Sequence, residues 1–404
     1  MTAYSDIVIV GGGLIGLSAA LVLQHPSRRV EVLEAGPAQA GSGGLNARSI
    51  ALSATSVQIF RALGIWPQIE AGAAPIRQIH VSARGRWGVA RLDAADYSLD
   101  ALGYVAENDA LTACLLEAVA ASKQIKLHQG AEFKSIEQNA GVRIGYRHKS
   151  RARKLDARLA LLADGAGSRA RDALGIGHHT VDYGQAVVLA NVEVSLPRSG
   201  MAYERFTPQG PLAMLPLGGR RYACVWTLDP DRVEAVKAYS DDEFCAALQD
   251  CFGYRLGFVE RVGKRHALPI RRTRADRLNR GNCLLVGNAA NALHPVAGQS
   301  FNLSLRDIAA LYELLVDFDL AQDDVDALSA LLNTYAGQRG SEQRRVIGYG
   351  DGLVTLFSNQ LPVFDLVRAA GLSLLDLVPA LKTQVAFAGM GLAFGGNRLL
   401  RGHL

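Results

Sequence analysis

The pattern of apolar and polar positions begins with two apolar runs that enclose a glycine-rich turn and a helical segment. Residues 7–10 are apolar and β-branched, glycines occupy positions 11–13, and the segment LIGLSAALVL follows. A second apolar run, residues 30–33, ends at Glu34. The pattern predicts a strand, a tight turn, a helix and a second strand.

Later segments add further helices and strands. Residues 49–63 and 108–121 carry apolar side chains at helical spacing, whereas residues 76–92 and several segments between 125 and 162 show the alternation of strands. Residues 161–176 and 282–315 each predict a strand, a turn and a helix, the last helix beginning at about residue 301. Between 185 and 269, alternation interrupted by turns predicts mostly antiparallel strands.

These elements predict an α/β protein with three regions. We expect a Rossmann-like dinucleotide-binding domain from residues 1–75, 100–180 and 270–345, and a smaller, mainly antiparallel β domain for the substrate from residues 76–99 and 181–269. Residues 346–404 predict a helical C-terminal region interrupted by Pro362 and Pro379. Packing on the first domain is the default for this region; partner subunits or a membrane surface are the alternatives.

The first turn has the glycine spacing of a dinucleotide site. Gly11 permits the tight turn, Gly13 lets a pyrophosphate approach the backbone, and Gly16 lets helix and strand pack closely. The helix N-terminus offers N–H groups to phosphates, and Glu34 is placed to accept hydrogen bonds from a ribose. An acid there favours FAD or NAD over NADP. The competing interpretation is a glycine-rich turn in an ordinary α/β unit.

A second turn of this kind follows residues 283–286. Gly287 and Asn288 lead into a loop and a helix N-terminus, where N–H groups can face a polar ligand. A flavin ring that becomes anionic on reduction would be stabilised there. Arg48 follows a loop rich in glycine, alanine and serine. It is either a surface arginine or, as we favour, a cation within reach of the cofactor.

Composition excludes several classes of protein. The chain has 404 residues, and its five cysteines form no CxxC pair, which fits a reducing cytoplasm rather than a disulfide framework or a zinc site. The net charge is +5, and the basic clusters at 151–158 and 271–280 lack aromatic residues, so we expect no nucleic-acid binding. No apolar run reaches membrane-spanning length, and the early first strand leaves no room for a signal peptide.

Three stretches, in this order, resemble the class A flavin aromatic monooxygenases with the p-hydroxybenzoate hydroxylase fold. They are the GxGxxG turn with Glu34, the Asp164-Gly165 pair, and the Gly-Asn…Pro…Gly-Gln…Asn…Asp series that ends at Asp307. The resemblance covers almost the whole chain. The segments ARSIALSATS, VGNAANALHPVAGQSFNL and GLSLLDLVPALKTQVAFAGMGL are similar to the ubiquinone-biosynthesis hydroxylases, most closely the 2-polyprenyl-6-methoxyphenol hydroxylases.

The resemblance implies a reaction and its participants. NAD(P)H would reduce FAD, O2 would add to give a flavin hydroperoxide, and one oxygen would pass to an electron-rich polyprenyl phenol. The substrate would be lipophilic and phenolic. Partner subunits of a ubiquinone-biosynthesis complex are implied, as is a cytoplasmic location with peripheral contact to the inner membrane.

The resemblance also implies site residues by position. Gly11, Gly13, Gly16 and Glu34 would hold the AMP half of FAD. Arg48 and Asn108 would lie near the flavin and its linker, and Asp164 with Gly165 would serve both FAD and the nicotinamide nucleotide. The remaining implied cofactor residues are Gly287, Asn288, Pro295, Gly298, Gln299 and Asn302.

His294 is the one residue for which a catalytic role is expected. Its position beside the flavin makes it a candidate for positioning or deprotonating the substrate. The alternative is a histidine that makes hydrogen bonds within its own loop.

Four positions depart from the broad family, which usually has Asp at 288, His at 291 and Gly at 300 and 304. Asn288 loses the charge that would favour the ribityl hydroxyl bond, and Ser300 adds a side chain where backbone approaches the ring. The departures leave open a flavin-poor, non-catalytic subunit that binds polyprenyl intermediates or acts as a scaffold. Another flavin oxidoreductase is a further alternative, although the chain lacks the CxxxxC and WxWxIP motifs of common reductases and halogenases.

A polyprenylated phenol also needs an apolar groove in the second domain. Six residues on its predicted strands could line such a groove, and we expect about half of them to be core instead. They are Tyr203, Phe206, Leu212, Met214, Leu215 and Trp226.

Overall fold

The computed structural model describes residues 3–36, 44–85, 87–139, 141–293, 299–320, 324–358, 378–392 and 398–399. The first eleven strands are β1 (Ala3–Val10), β2 (Val30–Glu34), β3 (Ser49–Ser53), β4 (Ala73–Ile76), β5 (Gln78–Ala83), β6 (Val89–Asp93), β7 (Gly103–Glu107), β8 (Ile125–Gln129), β9 (Ala131–Gln138), β10 (Val142–His148) and β11 (Arg151–Leu162). The later strands are β12 (His178–Val194), β13 (Met201–Thr207), β14 (Gly210–Pro216), β15 (Arg221–Leu228), β16 (Val259–Val262), β17 (His266–Ala275), β18 (Asn279–Arg280), β19 (Cys283–Leu285) and β20 (Asn291–Ala292). The described helices are α1 (Leu14–Leu23), α2 (Ala54–Ala62), α3 (Trp66–Glu70), α4 (Asn108–Ala121), α5 (Arg169–Ala173), α6 (Pro230–Ala238), α7 (Asp241–Phe252), α8 (Gln299–Leu315), α9 (Val325–Ser358) and α10 (Pro379–Met390).

The first sheet has a parallel core in the order β19-β11-β1-β2-β8. Strands β9, β10 and β18 join it in antiparallel pairs. Residues 7–10 and 159–162 are buried on both faces, which is why their apolar runs do not alternate. The predicted strand, turn, helix and strand at the N-terminus are confirmed.

The second sheet follows the order β20-β17-β12-β15-β14-β13-β5-β6, with β16 paired to β12. All of these pairs are antiparallel except β13 with β5, so the predicted antiparallel region is confirmed. Helices α6 and α7 cover one face, where Met214 and Trp226 pack against Phe244 and Phe252. Ser240 and Glu243 form a capping box that fixes the start of α7.

A three-stranded sheet, β3-β7-β4, lies next to the second sheet. Ile76 and Val105 of this small sheet form one apolar cluster with Ala202 and Ala223 of the larger one. The helix predicted over residues 49–63 is wrong in its first part, because residues 49–53 pair with β7 as a strand. Helix α2 begins only after Ser53, whose side chain accepts a hydrogen bond from the N–H of Ser56.

Helix α8 is joined to α9 by a buried ion pair. Asp307 lies 2.6 Å from a guanidinium nitrogen of Arg339 and accepts a 2.9 Å hydrogen bond from the side chain of Gln343. The hydroxyl of Tyr335 donates to the carbonyl of Asp307 at 3.1 Å. All four residues are almost completely buried, so the pair is shielded from solvent.

Both ends of α8 are also held by hydrogen bonds to distant segments. In its first turn, the amide of Asn302 donates to the carbonyl of Ala51 at 2.9 Å. At its C-terminal end, the buried guanidinium of Arg28 donates to the carbonyls of Leu315 and, just beyond the helix, Phe318. The position of α8 is therefore set by β3, by α9 and by the segment that precedes β2.

The C-terminal region is helical where the structure describes it. Helix α9 continues to Ser358, and Pro379 begins α10 at a position where proline is tolerated. Pro362 lies outside the described residues. Within the described parts of the chain, we find no helix with the length and apolarity needed to cross a membrane. All five cysteines are free thiols.

We expect Arg339→Met to destabilise the protein by about 3–5 kcal/mol, because Asp307 would remain buried without its counterion. Urea unfolding followed by circular dichroism would measure this loss.

Arg261→Met is the matched control, since it breaks the exposed pair with Glu193 and should cost less than about 1 kcal/mol. If both variants lose the same free energy of unfolding, the buried pair contributes no more to stability than the exposed one.

Candidate functional site

The predicted motifs lie at the carboxyl ends of neighbouring parallel strands. Gly11 follows β1, Glu34 ends β2, Asp164 follows β11 and Gly287 follows β19. The N–H of Gly11 donates to the carbonyl of Leu33 at 2.8 Å, which joins two of these ends. Because such ends meet at one edge of a sheet, the motifs converge although they are far apart in sequence.

The three motif glycines of the first turn meet different surroundings. Gly11 has φ +106°, and a Cβ atom there would lie 2.5 Å from the carbonyl oxygen of Ala163. A Cβ atom on Gly16 would overlap the carbonyl oxygen of Gly11. Gly13 has nothing within 4 Å of the position that a Cβ would occupy. Gly11 and Gly16 are therefore required by packing, whereas Gly13 borders open space.

Helix α1 begins at that open space without a side-chain cap. Gly13 is its N-cap residue and its first turn has no acidic residue, so the first N–H groups are available to an anion. Glu34 closes the turn from the next strand, since its carboxylate accepts hydrogen bonds from the N–H groups of Gly12 at 2.5 Å and Gly36 at 2.7 Å.

The carboxylate of Asp164 is used within its own turn. It accepts hydrogen bonds from the hydroxyl of Ser168 and from the N–H of Ala170 at 3.1 Å. Gly165 has φ +91° and borders open space. The fully buried Arg171 donates to the carbonyl of Ala289 at 3.3 Å, which ties this turn to the one at Gly287.

Two of the four residues that differ from the broad family, Asn288 and Ser300, are hydrogen-bonded to each other. The hydroxyl of Ser300 donates to the side-chain oxygen of Asn288 at 2.8 Å, and Asn288 is exposed at the surface of the site. Ser304 donates to the carbonyl of Ser300 within α8. Asn291 is buried, and among the described residues its amide has no partner. Gly287 has φ +65°, so this turn also requires glycine.

Arg48 and Asn108 come together at a second edge of the site. The N–H of Asn108 donates to the carbonyl of Arg48 at 2.8 Å, and the Arg48 side chain is exposed. The side-chain oxygen of Asn108 is buried and has no partner among the described residues. Burial lowers the pKa of His266, and the nearby charges of Lys264 and Arg48 lower it further.

Asn302 is occupied within the protein. Its side-chain oxygen accepts hydrogen bonds from the N–H of Ser53 at 2.9 Å and from the hydroxyl of Ser56 at 2.7 Å. The side chain thus fixes α8 against the start of α2.

Most of the other residues expected beside the flavin ring lie outside the part of the chain that the structure describes. His294, Pro295 and Gly298 lie outside the described residues, and Gln299 begins α8.

These features fit a dinucleotide cofactor. Open space over Gly13 and uncapped N–H groups suit a pyrophosphate, and the carboxylate of Glu34 suits a ribose. The unpartnered oxygen of Asn108 is an acceptor that a bound ligand would satisfy.

The face of the second sheet that α6 and α7 do not cover includes apolar residues that are only half-buried. We call it the open face. One row across it runs from His266 on β17 through Leu189, Val225 and Ala213 to Glu204 on β13. All five residues are half-buried. The row therefore joins the neighbourhood of Arg48 to Glu204.

The six candidate groove residues divide between the two faces. Tyr203, Leu212, Met214 and Trp226 are buried in the cluster beneath α6 and α7, so they are core. Phe206 and Leu215 are half-buried and alternate with core residues along their strands, which places them on the open face.

Sequence reasoning missed residues that position the site. The amide of Asn191 donates to the carbonyl of Ala47 at 2.8 Å and so joins the open face to the loop of Arg48. Arg171 joins two turns, as described above. A buried asparagine or arginine gives no sequence signal of its partner, since both contacts span more than a hundred residues.

Comparisons with known proteins agree with this geometry. The model of the FAD binding domain family matches residues 4–347. Ubiquinone hydroxylase UbiL of Rhodospirillum rubrum is 32% identical over 403 residues, which cover 98% of this chain and 93% of the relative. The 3-demethoxyubiquinol 3-hydroxylase of Escherichia coli is 31% identical, with 96% of this chain and 99% of the relative covered.

A solved structure shows the same fold. The crystal structure of p-nitrophenol 4-monooxygenase PnpA from Pseudomonas putida DLL-E4 matches with a TM-score of 0.78 at 19% identity, over 96% of this chain and 99% of that one. The p-hydroxybenzoate hydroxylase fold expected from the motifs is confirmed.

We expect Gly13→Ala to fold normally but to bind FAD about tenfold to a hundredfold more weakly. The added methyl group enters the open space over the turn and would displace the pyrophosphate of FAD from the backbone N–H groups. A hydrogen bond to such a charged group contributes about 1.5–3 kcal/mol. Flavin fluorescence quenching on titration of the apoprotein would measure the affinity.

Gly337→Ala is the control, because its Cβ also meets open space but lies on the exposed surface of α9, away from the site. Unchanged FAD affinity in Gly13→Ala would contradict the assignment of this space to the phosphates.

Proposed function

We propose that this chain, which belongs to the FAD binding domain family and is an FAD-dependent aromatic monooxygenase, hydroxylates a polyprenylated phenol of the ubiquinone pathway. The resemblance drawn from the three motifs is thereby confirmed at the level of the family, and FAD is the cofactor. The substrate is inferred from the names of the relatives and from the chemistry of the open face.

The open face is the observation that carries the proposal. Its central row consists of Leu189, Val225 and Ala213, which are apolar and only half-buried. A polyprenylated phenol offers an apolar chain and one hydroxyl group, and an apolar wall with a single carboxyl group at its end suits both. Residues 76–99 and 181–269 would thus form the substrate domain.

The cofactor residues have distinct proposed tasks. Gly11 and Gly16 would shape the turn so that Gly13 receives the pyrophosphate, while Glu34 would bind the ribose and Asn108 the linker. Asp164 with Gly165 would face FAD and the incoming NAD(P)H, and Arg48, Gly287 and Asn288 would lie near the flavin. FAD, when bound, supplies electron transfer from NAD(P)H and activation of O2. The chain itself supplies orientation and exclusion of water.

We expect the purified protein to carry FAD, and we expect NAD(P)H to reduce this FAD faster when a short-tailed methoxyphenol is bound. Ala213→Phe should raise the KM for this phenol about tenfold, since the ring fills the open face, and should leave FAD binding unchanged. Anaerobic stopped-flow additions of NADPH and NADH, followed by steady-state kinetics, would test both points.

Ala238→Phe is the matched control, because Ala238 is exposed at the end of α6 and away from the open face. If the protein binds no added FAD, the hydroxylase proposal would be rejected in favour of the flavin-poor, non-catalytic subunit. If FAD is bound but the phenol does not accelerate its reduction, the proposal of a phenol substrate would be rejected.

A polyprenyl substrate resides in a membrane, so we also propose peripheral contact with the inner membrane. Tyr254 and Phe258 are 68% and 63% exposed and form an edge-to-face pair with centroids 5.6 Å apart. Arg255 lies between them in sequence, and a hydrogen bond from the N–H of Leu196 to the carbonyl of Leu256 brings the segment of Arg198 close. Both arginines are exposed. Exposed aromatic rings beside arginines suit the interface of an anionic lipid surface.

We expect Tyr254→Ser with Phe258→Ser to weaken binding to anionic lipid vesicles about tenfold or more, because both rings would leave the lipid interface. Cosedimentation with phosphatidylglycerol vesicles measures this effect. Tyr4→Ser is the control, since Tyr4 is 50% exposed in β1. Equal vesicle binding by the wild type, the double variant and Tyr4→Ser would show that Tyr254 and Phe258 do not contact the membrane.

A further inference from the structure

Glu204 lies in the middle of β13, on the open face. Its neighbour Tyr203 points the other way and packs edge-to-face against Phe252 of α7, with ring centroids 5.4 Å apart. Because side chains alternate along a strand, Glu204 shares its face with Ala202, which packs in the apolar cluster beside the small sheet. Glu204 therefore faces the space that the phenol is proposed to enter.

The immediate surroundings of Glu204 are apolar. Its cross-strand neighbours are Val81 on β5 and Ala213 on β14. The nearest basic residues along these strands, His80 and Arg205, alternate to the other face, where His80 contacts the ring of Tyr203. Among the described residues, no hydrogen bond or ion pair reaches the carboxyl group of Glu204.

An unpaired carboxyl group on an apolar face is costly, so a sequence selected for stability alone would place an apolar residue there. Burial raises the pKa of Glu204 from 4.5 to about 7, and no neighbouring charge contributes to this shift. A carboxyl group in this range can both accept and release a proton at neutral pH. Such perturbed groups in clefts are typical of functional sites.

The row that contains Glu204 connects this residue to the neighbourhood of Arg48. Five strands separate Glu204 from His266, counting both ends, and strands lie about 4.8 Å apart, so the two residues are roughly 19 Å from each other. His266 lies beside Arg48, the residue expected near the flavin. The row therefore leaves room for an aromatic ring between the neighbourhood of Arg48 and Glu204.

We propose that Glu204 is a catalytic residue that removes the proton of the phenolic hydroxyl group during hydroxylation; this inference rests on the proposed function. The O–H bond of the phenol breaks, its electron pair stays on the phenol oxygen, and the proton passes to the carboxylate of Glu204. The resulting phenolate is richer in electrons at its ring carbons and accepts the transferred oxygen more readily. The protonated carboxyl group later returns its proton to water.

The test compares Glu204→Gln and Glu204→Asp with the wild-type flavoprotein. We expect Glu204→Gln to bind FAD and a short-tailed methoxyphenol normally but to form hydroxylated product about a hundredfold more slowly at pH 7. Consumed NAD(P)H should then yield hydrogen peroxide instead of product. Glu204→Asp should recover part of the coupling, and Glu234→Gln, on the exposed surface of α6, should change nothing.

The pH profile separates a proton acceptor from a merely structural residue. The wild-type rate should rise as Glu204 ionises at about pH 7. In Glu204→Gln, the rate should rise only as the phenol itself ionises, near pH 10 for an unperturbed phenol. The same rate and profile in wild type and Glu204→Gln would overturn the assignment while leaving the proposed function intact. A wild-type enzyme that does not hydroxylate the phenol would overturn both.

Stability gives a readout independent of turnover. Since the folded-state pKa is raised, the folded protein binds this proton more tightly, and the contribution of Glu204 to stability is lost as the pH rises from 4.5 to 7. Glu204→Gln should therefore melt at a higher temperature than wild type at pH 8 and at the same temperature at pH 4.5. A lower melting temperature at both pH values would show that the carboxylate has a structural partner, and would overturn the proposal.

Discussion

The close approach of α1 to the turn after β1 is the constraint on which the rest of the site depends. Gly16 brings the helix so near that any side chain would overlap the carbonyl of Gly11, and Gly11 lies as near to the strand end beyond it. The helix N-terminus is thereby fixed at the edge where β19, β11 and β2 also end. Each of these strands then brings one polar turn to the same place, and Arg171 links two of these turns.

The two faces of the second sheet have different roles: one packs in the core, and the other carries the proposed catalytic carboxyl group. Its covered face supplies the core under α6 and α7, with side chains that are almost fully buried. The open face has a central row of half-buried residues, and it holds a carboxyl group that burial disfavours. A sheet with one stable face can carry a costly group on the other, since the core does not depend on that group.

Much of this organisation could be predicted from the sequence, because local patterns determine it. The glycine turn, Glu34, the Asp164 turn and the boundaries of α4 follow from spacing and periodicity alone. The strand at residues 49–53 could not, since its pairing with β7 overrides a helical pattern that continues into α2. Ser300 and Asn288, which the sequence presents as two separate departures, are one hydrogen-bonded pair in space. Glu204 carries no motif, and only the register of β13 reveals which face it occupies.

The three attachments of α8 have a consequence for electron transfer. Asn302 holds its first turn, Asp307 its middle and Arg28 its end, each through hydrogen bonds to a different part of the chain. A helix held at three points would shift little if negative charge developed at its N-terminus. Its dipole already has the orientation that the charged state requires, so this element adds little to the reorganisation energy of a redox group placed there.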